Sequence, residues 1–300
     1  MVKTADLIYN EYTMKKLSII TINRNNSAGL HKTIESVVSQ TFTDYEYIII
    51  DGASTDGSVD IIKQYANKIT SWVSEPDKGI YNAMNKGILK ATGEYLLFLN
   101  SGDSLHTYNV LNEIFRKEIN SKIILGDVNK IQINEISEIE KPLLYYKNNN
   151  DEELTLFDMF HGFLNHQASL IKRDLFEDFG LYDEKYKIAS DWKFFLQVIG
   201  IINVSVSYID IVISDYDMTG LSSSNEELLL CERNMILEEI FSKRIIEDYM
   251  FFYSLKWKYN NLQKKYDYLF YFKSVLFLTR FINKLVRLLK LRKSDKLLSI

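Results

Sequence analysis

Three short stretches rich in acids or amides each follow a run of apolar, largely β-branched or aromatic residues, and they mark where this chain can do chemistry. Asn23-Arg24-Asn25 follows LSIITI at 17–22, Asp51 in DGASTDGS follows YEYIII at 45–50, and NSGD at 100–103 follows YLLFL at 95–99. Any one of them is explained as a polar turn at a strand end. Three together, each with a specific acid or amide, favour a ligand site. Asp51 directly abuts three isoleucines, and a carboxylate there suits hydrogen bonds from a base or a ribose. Gly52 and Gly57 permit tight turning, while Thr55, Asp56 or Ser58 can cap the following helix. Neither GxGxxG nor a GxxxxGK phosphate loop is present, which disfavours a dinucleotide enzyme or an ATPase. Further on, Asp191 in ASDW stands at the start of an amphipathic stretch whose apolar side includes Trp192, Phe195, Leu196 and Ile199. There the helix macrodipole favours its ionised form, which suits either a helix cap or a general base.

The elements that must position these groups are legible from periodicity. The three apolar runs read as buried strands. Residues 29–39, 57–67 and 80–91 carry apolar residues at helical spacing, for instance Leu30, Ile34, Val37 and Val38. Alternation of strand and helix implies a mostly parallel sheet with helices on both faces, a class in which ligands bind beyond the carboxyl ends of the strands. Residues 126–220 are mixed, with strands at 168–172 and 203–213 and a helix near 189–199; from about 225 the chain reads as helical.

With 300 residues, 46% hydrophobic and 25% charged, the chain can bury a substantial core. A net charge of −4 gives no sign of nucleic-acid binding, and the single cysteine, Cys231, excludes an internal disulfide framework and fits a reducing compartment. The opening residues lack the apolar stretch of a secretory leader, and Met14 ahead of Lys15-Lys16 reads as a natural start, leaving 1–13 as an extension. No run of about eighteen apolar residues occurs, so no spanning helix is expected.

IITINRN at 19–25, DGASTDGS at 51–58, EPDKGIYNAMNKG at 75–87, GEYLLFLNSGD at 93–103 and HQASLIKRDLFEDFGLYDEKYKIASDWKFFL at 166–196 resemble, in order, the family 2 glycosyltransferases, in the branch of bacterial capsule, colanic-acid and O-antigen gene clusters. The resemblance covers about residues 16–200 and implies an α/β GT-A fold, Rossmann-like, to which the helical pattern beyond 225 adds a C-terminal tail. Together they divide the chain into an extension at 1–15, a nucleotide-sugar part at 16–125, an acceptor part at 126–222 and a tail at 223–300. It implies inverting transfer of a sugar from a nucleotide-diphosphate donor, UDP before GDP or dTDP, to a saccharide hydroxyl. Thr21 and Asn23 fall where the family contacts the nucleoside, Asp51 at the acid for base or ribose, and Asp77, Lys78 and Gly79 at the stretch closing over the nucleotide. Asn100 and Asp103 fall at the metal motif. The chain has Asn-Ser-Gly-Asp where many relatives have acid-x-acid-acid, so Mg2+ or Mn2+ is expected to enter with the donor phosphates. His166 and Gln167 correspond to donor contacts, with His161 weaker; Asp191 corresponds to the general base; Trp192 is assigned to the core ahead of a sugar-stacking role. Asp77 serves equally as a cap of the 80–91 helix.

Residues 273–293 hold seven Lys or Arg and no acid, with Arg280, Lys284 and Arg287 at helical spacing. Such a basic amphipathic helix reads as an interfacial anchor, which places the protein at the cytoplasmic membrane face beside a lipid-linked acceptor. A sugar nucleotidyltransferase is a competing expectation, disfavoured because Asn23–Ala28 lacks a basic triphosphate loop. A catalytically silent membrane-bound assembly protein is the other, its sign being the thinned metal motif.

Overall fold

The computed structural model describes residues 14–132, 135–142, 153–220 and 225–266. The extension at 1–13 and the basic stretch at 273–293 lie outside these. The chain divides into two compact units, Met1–Ile240 and Phe241–Ile300.

Every residue of β1 (Leu17–Asn23) is buried, as is all but the first of β2 (Tyr45–Asp51). Both are mostly apolar because a parallel strand covered on two faces has no polar side, and the polar residues ahead of their ends, Ser18, Thr21 and Glu46, are themselves buried. β3 (Ser71–Ser74) and β4 (Tyr95–Phe98) complete a parallel quartet in the order β3-β2-β1-β4. Odd-numbered residues point one way. Leu17, Ile19, Tyr47, Ile49, Tyr95 and Leu97 pack in one cluster with Leu30, Ile34 and Val37 of α1 (Ser27–Val38) and Ile62 of α2 (Ser58–Gln64). Burying each such side chain is worth about 1.5–3 kcal/mol, and Ile49→Ala would cost about 2–5 kcal/mol through the cavity it leaves. Even-numbered residues face α3 (Ile80–Lys90), where Gly87 lies so close to Ile20 that an added Cβ would fall 2.4 Å from its Cγ2.

Beyond β4 the sheet changes direction. After β5 (Ser104–Leu105) and α4 (Val110–Phe115) come β6 (Ile123–Gln132), β7 (Glu135–Glu140) and α5 (Leu156–His161). A short 3-10 turn, His166–Ala168, then leads into β8 (Ser169–Lys172), which runs antiparallel between β4 and β6. Because β8 is reversed, its beginning lies at the edge where β1, β2 and β4 end. α6 (Asp174–Phe179) and α7 (Ser190–Phe195) follow, α7 continuing as a π-helical turn over Leu196–Ile201. Phe98 meets Phe176 edge-on at 6.2 Å, and Phe176 stacks on Phe194 at 4.4 Å, so α6 and α7 cover the even-numbered face of β4. β9 (Val206–Asp217) pairs parallel with β6, and α8 (Glu226–Ile240) closes the first unit. The nine strands form one mixed sheet in the order β3-β2-β1-β4-β8-β6-β9-β5, with β7 on β6. This is the mostly parallel, helix-flanked α/β sheet expected.

In the second unit residues 243–266 are helical and expose Phe251, Phe252, Trp257 and Tyr266. Among the described residues no helix is long and apolar enough to cross a membrane.

Candidate active site

Parallel register sets the first part of the site. Asn23 pairs with Asp51 and Asp51 with Ser74, so three polar side chains stand in a row where β1, β2 and β3 end. Asp51 is fully buried. Its carboxylate accepts hydrogen bonds from Asn23 Nδ2 (2.7 Å), Ser54 N (2.9 Å), Ser54 Oγ (2.6 Å) and Ser74 Oγ (2.6 Å). Burial pushes its pKa up, but these bonds outweigh burial and hold it below the ordinary carboxylate value. Asn23 thereby spends its amide N–H on Asp51 and Ser54, while its buried Oδ1 has no partner among the described residues. A buried acceptor left in that state is costly unless a ligand reaches it. Thr21 sits deeper: it is fully buried with its hydroxyl 3.1 Å from the Tyr47 phenol, beneath the edge.

Asp77 leans over this row. A Cβ on Gly52 would fall 2.2 Å from Asp77 Oδ2, so only glycine lets the carboxylate rest on the β2 turn. Its Oδ1 accepts from Gly79 N at 3.0 Å, and the residue capping α3 is Gly79. Asp77 thus shapes the turn before the helix instead of capping it. Lys78 is exposed and lines a cavity of about 360 Å³ with Tyr81, Asn82, Glu184 and Tyr186.

At the end of β4 the chain turns sharply through Gly102, whose φ of +109° suits glycine. The turn delivers Asp103 into the interior, 3% exposed, where Oδ1 accepts from Asp217 N at 2.9 Å. Asp217 ends β9, and its Oδ2 would lie 3.0 Å from a Cβ on Gly102. Two acids from strands far apart in sequence therefore converge. Burial pushes the Asp103 pKa up to about 7; the Asp217 charge adds to this, while the Asp217 N–H, His166 and Lys32 oppose it. Neither acid forms an ion pair with a described cation. The buried Oδ1 of Asn100 beside them has no partner among the described residues. Hard oxygen donors of this kind suit a divalent cation. Among the described residues, however, no group of three His, Cys, Asp or Glu is placed to hold one, so a cation here needs further oxygens from a ligand.

Asp191 lies in the first turn of α7, as expected, and is held from three sides. Oδ1 accepts from Tyr81 Oη (2.7 Å) and Trp192 N (2.9 Å), and Oδ2 from His166 Nδ1 (2.9 Å). His166 Nε2 in turn lies 3.2 Å from Asn100 Nδ2. One chain, Asn100–His166–Asp191–Tyr81, therefore ties the end of β4 to α7 and α3. Burial raises the Asp191 pKa, but the bonds from His166, Tyr81 and the Trp192 backbone prevail and hold it below the ordinary value. The carboxylate is ionised at neutral pH. It opens on a cavity of about 260 Å³ lined by His166, Gln167, Tyr216, Met218 and Arg233. Gln167 is buried there. Trp192 is core: its Nε1 donates to Met159 O and Gly162 O, and the Arg233 guanidinium covers its ring at 4.3 Å. His161 packs between Phe157 and Phe160 and does not line that cavity.

The loop entering α7 is fixed from α8. Buried Glu232 accepts from the backbone N–H groups of Lys187 (2.7 Å), Ile188 (3.0 Å) and Ala189 (3.1 Å). Tyr81, Asp217, Glu232 and Arg233 were not singled out from the sequence. Tyr81 lies inside the quoted EPDKGIYNAMNKG, and Asp217 lies four residues beyond the expected end of its strand.

The family model "Glycosyl transferase family 2" matches residues 18–180. A PGL/p-HBAD biosynthesis glycosyltransferase of Mycobacterium bovis is 28% identical over 76% of this chain and 83% of its own. The poly(ribitol-phosphate) beta-N-acetylglucosaminyltransferase TarP of Staphylococcus aureus is 38% identical over 38% of this chain and 36% of its own. Among solved structures, S. aureus TarS in complex with UDP-GlcNAc is similar with a TM-score of 0.55 and 22% identity, over 67% of this chain and 58% of that one. This chain thus spans less than two thirds of the TarS chain. The mannosyltransferase PcManGT from Pyrobaculum calidifontis, in complex with GDP-Man and Mn2+, matches with a TM-score of 0.52 and 16% identity, over 68% of this chain and 57% of that one.

Proposed function

This chain belongs to glycosyl transferase family 2, and from that premise we propose that it transfers a sugar from a UDP-sugar to a hydroxyl of a saccharide acceptor with inversion at the anomeric carbon. The observation that carries this reading is the ionised Asp191, opening on a cavity and linked through His166 to Asn100 at the end of β4. The nucleoside lies along the ends of β1 to β3, meeting Asn23 Oδ1 and the Asp51 cluster, with Thr21 as the floor and Asp77 and Lys78 closing from the side. The diphosphate lies towards Asn100, His166 and Gln167. Asp103, with Asp217 added as a second acid, would hold Mn2+ or Mg2+ together with the donor phosphates, and a bound ion would supply charge neutralisation for the departing diphosphate. The acceptor occupies the cavity beside Asp191. Its hydroxyl oxygen forms a bond to the anomeric carbon, the bond from that carbon to the diphosphate oxygen breaks, and the hydroxyl proton passes to the Asp191 carboxylate. UDP-GlcNAc is held by TarS, and GDP-Man with Mn2+ by PcManGT, which supports a nucleotide-sugar donor. The lipid-linked nature of the acceptor, and a place at the inner membrane face through residues 273–293, belong to the same proposal.

Calorimetric titration with UDP, GDP and dTDP, each with and without Mn2+, tests it. Mn2+-dependent binding of one nucleotide, weakened at least tenfold in Asp103→Asn and Asp217→Asn, is expected. Absence of binding by any of the three overturns the reading and favours the silent assembly protein.

A further inference from the structure

The cavity beside Asp191 contains a cation that its neighbours leave incompletely answered. Of the charged side chains lining it, Lys130 and Glu140 pair with one another at 3.1 Å. Asp191 is answered by His166, Tyr81 and the Trp192 N–H. Arg233 forms no ion pair with any described carboxylate. Its Nη2 donates to the carbonyls of Phe160 (3.2 Å) and Gly162 (3.0 Å), the guanidinium covers the Trp192 ring at 4.3 Å, and Nε and Nη1 make no hydrogen bond to a described residue. A cation taken partly out of water keeps its charge at a cost unless an anion or a full set of acceptors meets it. Stacking on the indole and two carbonyl bonds hold the group in one orientation without neutralising it. A guanidinium so fixed, with donors to spare, is suited to a carboxylate or phosphate.

We propose that Arg233 forms the acceptor subsite for an anionic group, so that the enzyme's acceptor is an acidic saccharide carrying a phosphate or carboxylate close to the hydroxyl that reacts. The closeness follows from the cavity: Arg233 and Asp191 line the same space of about 260 Å³. The anionic group and the attacking hydroxyl then belong to the same sugar or to directly linked units. This inference rests on the placement of the acceptor beside Asp191 given above.

The test fills the donor site first. Protein saturated with UDP and Mn2+ is titrated with glucose 1-phosphate, glucuronate and glucose, followed by ligand-observed NMR or calorimetry. One of the two anionic probes is expected to bind at least tenfold more tightly than glucose, and which of them does so separates phosphate from carboxylate. Arg233→Met is expected to abolish that preference with UDP affinity unchanged, and Arg233→Lys to retain part of it. Equal binding of glucose and both anions by the wild type overturns the inference without any variant, as does a preference that survives Arg233→Met. Failure of UDP to bind counts against the donor reading instead. The same titration without UDP then still judges Arg233.

Discussion

Glu232→Ala is the perturbation whose cost can be worked most directly from the structure. The Glu232 carboxylate is 5% exposed and accepts three backbone N–H groups of the loop that leads into α7. Removing it leaves those donors without their acceptor, and each buried unsatisfied donor costs about 1–3 kcal/mol. Ile188 and Ala189 are buried and bear the full penalty, while the exposed Lys187 recovers a bond to water. Two donors give about 2–6 kcal/mol, with about 4 kcal/mol as the central value. For a unit of this size that corresponds to a fall in Tm of about 8–16 °C. Glu232→Gln keeps an acceptor oxygen and should cost about 1–2 kcal/mol. Thermal and urea unfolding of wild type and both variants give the numbers. The loop also places Ile188 on the walls of both cavities and Asp191 one turn further on. Turnover should therefore fall more than nucleotide affinity in the glutamine variant, which stays folded. A loss below about 1 kcal/mol for Glu232→Ala would show that the loop holds its shape by other means, and the argument for the clamp would fail.

Tyr81→Phe removes one of the three donors that keep Asp191 ionised; the acid limb of kcat/KM against pH should move to higher pH, and an unmoved limb would exclude Asp191 as the titrating base. Gly52→Ala places a Cβ 2.2 Å from Asp77 Oδ2 and must push that carboxylate off the β2 turn. Nucleotide affinity should drop about tenfold for a stability loss of about 1–3 kcal/mol, to be compared by calorimetry and melting. Lys193 joins Asp183 (2.7 Å) and Glu239 (2.6 Å), and holds the Glu239 pKa down to about 2, with help from Tyr186. A depressed carboxylate pKa gives stability that is present above the unfolded value of about 4.3 and lost as pH falls towards 2. Lys193→Met should flatten the acid side of the stability curve between these limits. Glu239 is 41% exposed, so solvent limits the gain to about 1 kcal/mol or less.

The strands β1, β2 and β4 were legible because parallel strands covered on both faces are mostly apolar, with only Ser18, Thr21 and Glu46 interrupting the runs before the strand ends. β3 was not: SWVS is four residues long and only half-buried, with no apolar run to betray it. β9 was read to 213 because Ser214, Asp215 and Asp217 look like a polar turn, whereas they continue the ladder against β6 and β5. That early stop concealed Asp217 and with it the acid beside Asp103. Asp191 and His166 lie in recognisable motifs, but their bond to each other depends on the reversal of β8, which short-range periodicity does not encode. Glu232 and Arg233 meet partners 41 to 73 residues away, from a helix whose own pattern gives no hint of them. The basic stretch at 273–293, expected to be helical, lies outside the described residues.

The way Asp51 is held has a consequence for the conditions under which this protein can work. Its charge is met by an amide, two hydroxyls and a backbone N–H, and no lysine or arginine among the described residues pairs with it. Fixed dipoles at contact distance are not loosened by dissolved ions, whereas separated surface charges are screened within about 8 Å at physiological ionic strength. The geometry where β1, β2 and β3 end should therefore be the same in dilute buffer and in concentrated brine, even as ion pairs such as Lys193–Glu239 weaken. Rising ionic strength would then loosen the ion pairs at the fold's periphery well before it altered the ledge proposed to carry the nucleoside.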